Sequence, residues 1–264
     1  MYEFDYAKPA STAEAVRAAG EDTRYLAGGQ SLVQSMRLRL ASASTLIDLG
    51  AIPDLAGITV DAGSVRIGAM TTHATVAASA EVRRAIPALA ELAGGIGDPM
   101  VRNMGTIGGS LANADPAACY PAGVLGLGAT IQTDRREIAA DDFFLGLYET
   151  ALEPGELVTG VRFPVPERAA YIKFRQPASR FALVGVMVSK GPAGVRAAVT
   201  GAKACAYRCA EVEAALARDF SAAALDKVTV PATDINGDLH ASSEYRAAMI
   251  VVMARRAVAA ALAR

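Results

Sequence analysis

The chain is poor in the residues that build metal centres. It holds two histidines, His73 and His240, and three cysteines, Cys119, Cys205 and Cys209, in 264 residues. The histidines stand far apart and the cysteines lack cluster spacing, so no metal ligand set is in view. An odd cysteine count argues against a disulfide framework and for reduced thiols in a cytoplasmic protein. An excess of one charge is also missing, with 26 basic residues against 27 acidic ones. Basic residues gather no further than pairs such as Arg83-Arg84 and Arg255-Arg256, which removes the electrostatic footprint of nucleic-acid binding. Long apolar runs are absent. The N-terminus, Met1 to Tyr6, has neither the basic nor the apolar region of a signal peptide. The most apolar helical stretch, Ala247 to Met253, is closed by Arg246 and Arg255 and is too short to span a bilayer. What remains is 52% hydrophobic and 20% charged, a globular composition able to bury a sizeable core.

Strand and helix signals alternate along the chain. Tyr2 to Tyr6 predicts a strand, and Ser11 with Glu14 a capping box opening a helix that ends near Gly20. Arg24–Ala27 and Thr45–Leu49 read as strands flanking a helical turn from Ser31, with Leu32, Val33 and Met36 inward. Asp61-Ala62-Gly63 predicts a hairpin between Ile58–Val60 and Val65–Ala69. Helices are expected at Thr75–Ser79, Ile86–Ala93 and Pro121–Leu127, and strands at Thr130–Thr133 and Glu156–Phe163. Pro164-Val165-Pro166 is the natural linker. Beyond it, Tyr171–Gln176, Leu183–Ser189 and Val195–Thr200 predict three antiparallel strands, followed by helices Ala204–Ala217 and Ser242–Leu262.

Two glycine-rich loops carry the chemistry. The first, Leu26-Ala27-Gly28-Gly29-Gln30-Ser31-Leu32, joins a strand to a helix start. Adjacent glycines let backbone approach a ligand closely, and the amides that follow form a natural anion site. A tight turn would need the same glycines. The second runs from Arg102 through Gly105-Thr106-Ile107-Gly108-Gly109-Ser110 to Asn113, Asp115 and Pro116. It offers bare backbone donors and short hydrogen-bonding side chains. Neither loop is a Rossmann fingerprint or a P-loop, and neither core carries Lys or Arg. A pyrophosphate would be held by amides and hydroxyls. Two such loops suit one long dinucleotide gripped from two sides.

These stretches resemble a known family, the FAD-binding medium subunits of molybdenum hydroxylases, such as carbon monoxide and xanthine dehydrogenases. Besides both loops, the resemblance rests on Met36-Arg37-Leu38-Arg39-Leu40, Leu46-Ile47-Asp48-Leu49, Ile67-Gly68-Ala69-Met70-Thr71-Thr72-His73 and Ile96-Gly97-Asp98-Pro99-Met100-Val101-Arg102-Asn103. It runs in order along the whole chain. It implies an α+β fold: a two-part FAD-binding domain of the vanillyl-alcohol-oxidase (PCMH) type over residues 1–165, with subdomains 1–55 and 56–165, then a C-terminal domain over 166–264 of a three-stranded antiparallel sheet packed on helices. It also implies FAD, bound non-covalently. Ala27, Gly28, Gly29, Gln30, Ser31 and Leu32 would hold the pyrophosphate and adenine side. Gly105, Thr106, Gly108, Gly109 and Ser110 would hold the other face of the phosphates. Asn113 and Asp115 would lie towards the ribityl and flavin, Ile96 and Val101 would pack on the cofactor, and Val158 and Lys173 would touch the flavin. The molybdenum cofactor and 2Fe–2S clusters would belong to partners, a large molybdopterin subunit and a small iron–sulfur subunit, in a dimer of heterotrimers. Three positions depart from the family pattern: Ser110 where Asn or Asp is common, Cys119 where Asp is frequent, and Arg180 where an acid is usual.

No acid–base catalyst is assigned, since the flavin supplies the chemistry. The chain would take electrons from the iron–sulfur subunit and pass them to an external acceptor. A self-contained FAD-dependent oxidoreductase of the same fold, and a scaffold that binds no flavin, are the alternatives. Among single residues, His73 reads as a hydrogen-bonding residue at a helix start, with covalent flavin attachment as the rival reading. Cys205 and Cys209, four apart, read as core thiols on one helix face, and Asp141-Asp142 as a helix cap. Arg102 reads as a phosphate neutraliser or a salt-bridge partner.

Overall fold

The computed structural model describes residues 1–264. The first unit follows the expected strand–helix–strand pattern: β1 (Asp5–Ala7), α1 (Thr12–Ala18), β2 (Thr23–Leu26), α2 (Leu32–Arg37) and β3 (Thr45–Asp48). The strands form a parallel sheet in the order β1-β3-β2. The Ser11 hydroxyl accepts from the Glu14 amide, while the Glu14 carboxylate accepts from the Ala10 amide at 2.9 Å. This is the capping box, displaced by one residue on its return bond.

The hairpin β4 (Ile58–Asp61) and β5 (Ser64–Gly68) opens the second unit. Six helices follow: α3 (His73–Ala78), α4 (Ala80–Ala85), α5 (Pro87–Gly94), α6 (Pro99–Met104), α7 (Ile107–Asn113) and α8 (Cys119–Leu127). Then come β6 (Thr130–Thr133), β7 (Glu137–Ala139), a small hairpin β8 (Phe144–Gly146) with β9 (Glu149–Thr150), and β10 (Val158–Pro164). The sheet is antiparallel in the order β4-β5-β10-β6-β7. The glycine-rich segment is not an open loop. Asp98 caps α6 and Thr106 caps α7, and these bonds fold the segment into two short helices.

The C-terminal sheet has four strands, not three: β11 (Arg168–Arg175), β12 (Ala182–Gly191), β13 (Gly194–Thr200) and the short β14 (Tyr207–Arg208). β14 lies inside the span expected to be helical. Tyr207 and Arg208 pair with Val199 and Ala198, so α9 starts only at Ala210 (Ala210–Arg218). Cys205 and Cys209 therefore do not share a helix face. Cys205 precedes β14, and Cys209 is buried at the N-cap of α9. Asp141 caps no helix either. It pairs with Arg196 on β13 and Arg208 on β14 and so ties the second unit to the C-terminal sheet.

One apolar core runs across the linker at Pro164 to Pro166, and a second lies wholly beyond it. One face of the C-terminal sheet sends Tyr171, Met187 and Ala198 into the large apolar core built on α5, α8 and β10. The other face, with Ala170, Val186 and Val199, packs on α10 (Ser243–Leu262). That helix buries Ala247, Ile250, Ala254, Ala257, Val258 and Ala261, a helical stripe matched to one sheet face. Both sheet faces are covered, which explains the nearly unbroken run of buried residues along β12.

Glu156 is a charged group held by several partners in the second unit. It was expected within a strand. Instead it precedes β10, and its carboxylate is enclosed, accepting from Arg136 at 3.0 Å, the Glu153 amide at 2.8 Å and the Thr133 hydroxyl at 2.8 Å. The Arg136 bond leads the causes that lower its pKa to about 2, against a burial effect of opposite sign. A depressed folded-state pKa gives stability that is present above the unfolded value, near 4.5, and is lost as pH falls through about 2. Glu156→Gln is expected to flatten the acid limb of the unfolding curve between those values. Urea titrations from pH 6 down to pH 2 check this. An unchanged slope would assign that limb to other carboxylates.

Candidate functional site

The two glycine segments meet. A Cβ on Gly28 would lie 2.0 Å from the Met104 carbonyl oxygen and 2.9 Å from the Gly105 Cα. Only hydrogen fits at that crossing. A Cβ on Gly109 would lie 3.4 Å from the Ala27 Cβ and 2.9 Å from the Thr106 hydroxyl. The strand β2 therefore delivers its loop directly onto the α6–α7 junction. The adjacent Gly29 has φ +70, which turns the chain into α2.

The two segments differ in what their amides do. In the first, the backbone N–H groups of Gly28, Gly29, Gln30, Ser31 and Leu32 donate to no protein acceptor. Five successive donors without acceptors at a turn into a helix are the kind of backbone group that binds anions. In the second, the expected bare donors are already engaged. Ile107 N–H donates to Thr71 O, Gly108 N–H to Ala69 O at 2.8 Å, Gly109 N–H to the Thr106 hydroxyl at 3.1 Å and Ser110 N–H to Thr106 O. Two of its glycines answer packing demands. A Cβ on Gly105 would strike the His73 ring at 2.6 Å, and one on Gly108 would strike Ala69 at 2.5 Å. What the second segment leaves free are side chains: Ser110 and Asn113 are half-buried and have no protein hydrogen-bond partner. Ser31, exposed on the first segment, is likewise free.

The surrounding residues order this face. Arg102 neutralises nothing anionic within the protein. Its guanidinium binds the Ile96 and Gly97 carbonyls at 3.0 and 3.1 Å and holds the turn before α6. Ile96 and Val101 are half-buried at that turn, and a Cβ on Gly97 would press Val101 at 3.0 Å. Gln30 is exposed, with its amide 3.4 Å from the Gly28 carbonyl. Asp115 accepts from the Ala117 amide at 2.8 Å and faces the Tyr148 hydroxyl. Val158 is enclosed in the core, one residue before Thr159, whose carbonyl anchors Ala69 beneath Gly108. Lys173 bridges units: its ammonium donates to Gly95 O at 2.8 Å, Arg180 O at 2.7 Å and the Cys119 sulfur at 3.4 Å. Arg180 adds a bond to the Gly97 carbonyl at 3.1 Å. Sequence reasoning missed this clasp of the C-terminal sheet on the Gly95–Gly97 turn. Arg180 had been noticed only as a departure from an acidic position.

His73 sits at the first turn of α3, buried against Gly105 and tilted on the Tyr120 ring. Burial, helped by the nearby Arg102 charge, lowers its pKa to about 4, so the imidazole is neutral near pH 7. Its backbone N–H donates to Gly105 O at 2.9 Å. The ring is a packing partner of the second segment and is only 5% exposed, which gives a covalent attachment no open approach. No helix is long and apolar enough to cross a membrane, and no His, Cys, Asp and Glu cluster could hold a metal ion.

Comparison with known proteins gives the family of the chain. Residues 2–166 match the family described as the FAD binding domain in molybdopterin dehydrogenase. The chain is 39% identical to the carbon monoxide dehydrogenase medium chain of Afipia carboxidovorans, covering 99% of this chain and 97% of that one. It is 36% identical to the nicotine 6-hydroxylase medium subunit of Paenarthrobacter nicotinovorans, covering 98% and 97%. Among solved structures, reconstituted CO dehydrogenase from Oligotropha carboxidovorans superimposes with a TM-score of 0.91 at 37% identity, covering 100% of this chain and 99% of that one. Quinoline 2-oxidoreductase from Pseudomonas putida 86 gives 0.87 at 29% identity, covering 98% and 97%. The chain belongs to the FAD-binding medium subunits of the molybdenum hydroxylases, the flavoprotein components of molybdopterin-dependent oxidoreductases.

Proposed function

We propose that this subunit holds FAD non-covalently on the face where the two glycine segments meet, and serves a heterotrimer with a large molybdopterin subunit and a small 2Fe–2S subunit, assembled as a dimer of heterotrimers. The run of free N–H groups from Gly28 to Leu32 carries the reading. An FAD pyrophosphate brings oxyanions to match these donors, and the Ser31 and Ser110 hydroxyls supply more. Asn113 and Asp115 lie further along the same segment, towards the ribityl and flavin. Ile96 and Val101 provide apolar cover. Gly109 and Thr106 keep the second segment close to the first without projecting bulk between them, while Gly105, Gly108 and Val158 support it from behind. Lys173 acts as a positioning residue through its bonds to Gly95 and Arg180.

Bound FAD supplies the capacity to accept electrons singly from an iron–sulfur centre and release one or two to an external acceptor. The chain's own task is to grip the cofactor, fix its orientation and present it to the partner. Its two histidines and three cysteines form no site for the other centres, so the organic substrate is oxidised elsewhere in the complex.

Two experiments test this. Acid precipitation of the purified subunit is expected to release one FAD per chain into the supernatant. Flavin retained in the pellet would establish a covalent link and restore His73 as its candidate. In reconstitution, the isolated chain is expected to show flavin absorbance without substrate-dependent dye reduction, and the two partner subunits together are expected to restore turnover. Turnover by the chain alone would favour a self-contained flavoenzyme. Absence of flavin bands after reconstitution with free FAD would favour a scaffold.

A further inference from the structure

We propose that Cys119 and Lys173 are a covalent modification site, forming a sulfenamide bridge when the protein meets hydrogen peroxide. The inference is independent of the flavin assignment, because it uses only the geometry of these two side chains. Lys173 Nζ lies 3.4 Å from Cys119 Sγ. The amine cannot wander, since carbonyls of Gly95 and Arg180 hold it at 2.8 and 2.7 Å. The sulfur is equally fixed, at the first turn of α8 and 4% exposed. The buried Tyr171 hydroxyl, which has no hydrogen-bond partner, faces the same thiol. A nucleophile and an oxidisable sulfur held in contact react as one unit and not as two dilute partners.

The chemistry needs one oxidant, which enters as hydrogen peroxide, the two-electron reduction product of dioxygen. Peroxide takes two electrons from the Cys119 sulfur, giving a sulfenic acid and water. The Lys173 ammonium releases one proton, and the free amine attacks that sulfur; the S–O bond breaks as the S–N bond forms, and the departing hydroxide takes a second proton from nitrogen to leave as water. Sulfenic acids close in this way onto a neighbouring nitrogen, and thiols reopen the product. Contact favours closure, because the amine already stands 3.4 Å from the sulfur while free thiols and further peroxide must diffuse to it.

The other two cysteines lack this arrangement. Cys209 contacts the Glu211 carboxylate, and burial leads the causes that push its thiol up to about 12, which leaves it protonated and unreactive. Cys205 is more exposed and has no lysine hydrogen bond, and the neighbouring Lys203 ammonium stands over the Tyr207 ring at 4.6 Å. Closure at Cys119 would join α8 to β11, turning the hydrogen-bonded clasp between the N-terminal core and the C-terminal sheet into a covalent one.

The test uses the full-length subunit treated with equimolar hydrogen peroxide. Thiol titration under denaturing conditions is expected to fall from three to two and return to three after dithiothreitol. Proteolysis and mass spectrometry are expected to find a peptide containing Cys119 joined to one containing Lys173, two hydrogens lighter than their sum, with cleavage at Lys173 blocked. In Lys173→Arg the joined peptide should vanish, and dimedone should label Cys119 where it does not label the wild type. Equal dimedone labelling of Cys119 in both proteins would overturn the proposal. So would a free Cys119 thiol in oxidised wild type while Cys205 is modified.

Discussion

Gly28→Ala is expected to reduce FAD retention from one per chain to less than roughly a tenth, which is a loss of at least about 1.4 kcal/mol in binding. The added methyl would stand 2.0 Å from the Met104 carbonyl oxygen and 2.7 Å from its carbon. Both are backbone atoms, so no rotamer change relieves the contact. Close-packed interiors transmit such an overlap as displacement. The first segment must lift from the second, and the free amides of Gly28 to Leu32 then lose their position relative to Ser110 and Asn113. Flavin absorbance after gel filtration measures the effect. Gly20→Ala is the control, since a Cβ there meets nothing closer than Thr23 at 4.0 Å, and it should retain stoichiometric FAD. Full flavin content in Gly28→Ala would separate the crossing of the two segments from cofactor binding.

Arg246→Met is expected to cost about 3 kcal/mol of stability, lowering the melting temperature by roughly 5–10 °C. Arg246 is 4% exposed at the start of α10. One guanidinium nitrogen binds the Leu183 and Gly201 carbonyls, both at 2.7 Å, and another binds Asp238 at 2.7 Å. Methionine fills comparable volume but leaves two part-buried carbonyls without this donor, and unmade buried hydrogen bonds outweigh a typical made one. Gly201 has φ +85, and a Cβ there would lie 2.4 Å from the Ala182 carbonyl. The turn after β13 is therefore already constrained, and relaxation offers little relief. Thermal and urea unfolding monitored by circular dichroism decide the matter. A change below about 1 kcal/mol would mean that water replaces the guanidinium without difficulty.

Periodicity found the long elements. Ser242, expected as the start of the last helix, caps it with its side chain, and the β11–β12–β13 meander lies where alternating apolar residues placed it. The short elements escaped. β7, β8, β9 and β14 are two or three residues long, below the length at which an alternating pattern differs from chance. α4 and α6 were missed because their capping signals sit beside proline or another helix end. α7 was hidden by its glycines, which disfavour helix intrinsically. Tertiary contact overrides that preference, since Gly108 must pass Ala69.

The family, the long elements and the positions of both glycine segments were legible along the chain, because local patterns and motif spacing are written in one dimension. The packing of distant segments brings Gly28 against Met104 and puts His73 in the place a Cβ on Gly105 would need. It also placed Cys119 beside Lys173, 54 positions away. It alone separated the segment whose amides remain free from the one whose amides are spent on Thr71, Ala69 and Thr106. A hydrogen bond depends on where a distant acceptor ends up, and no local pattern carries that information.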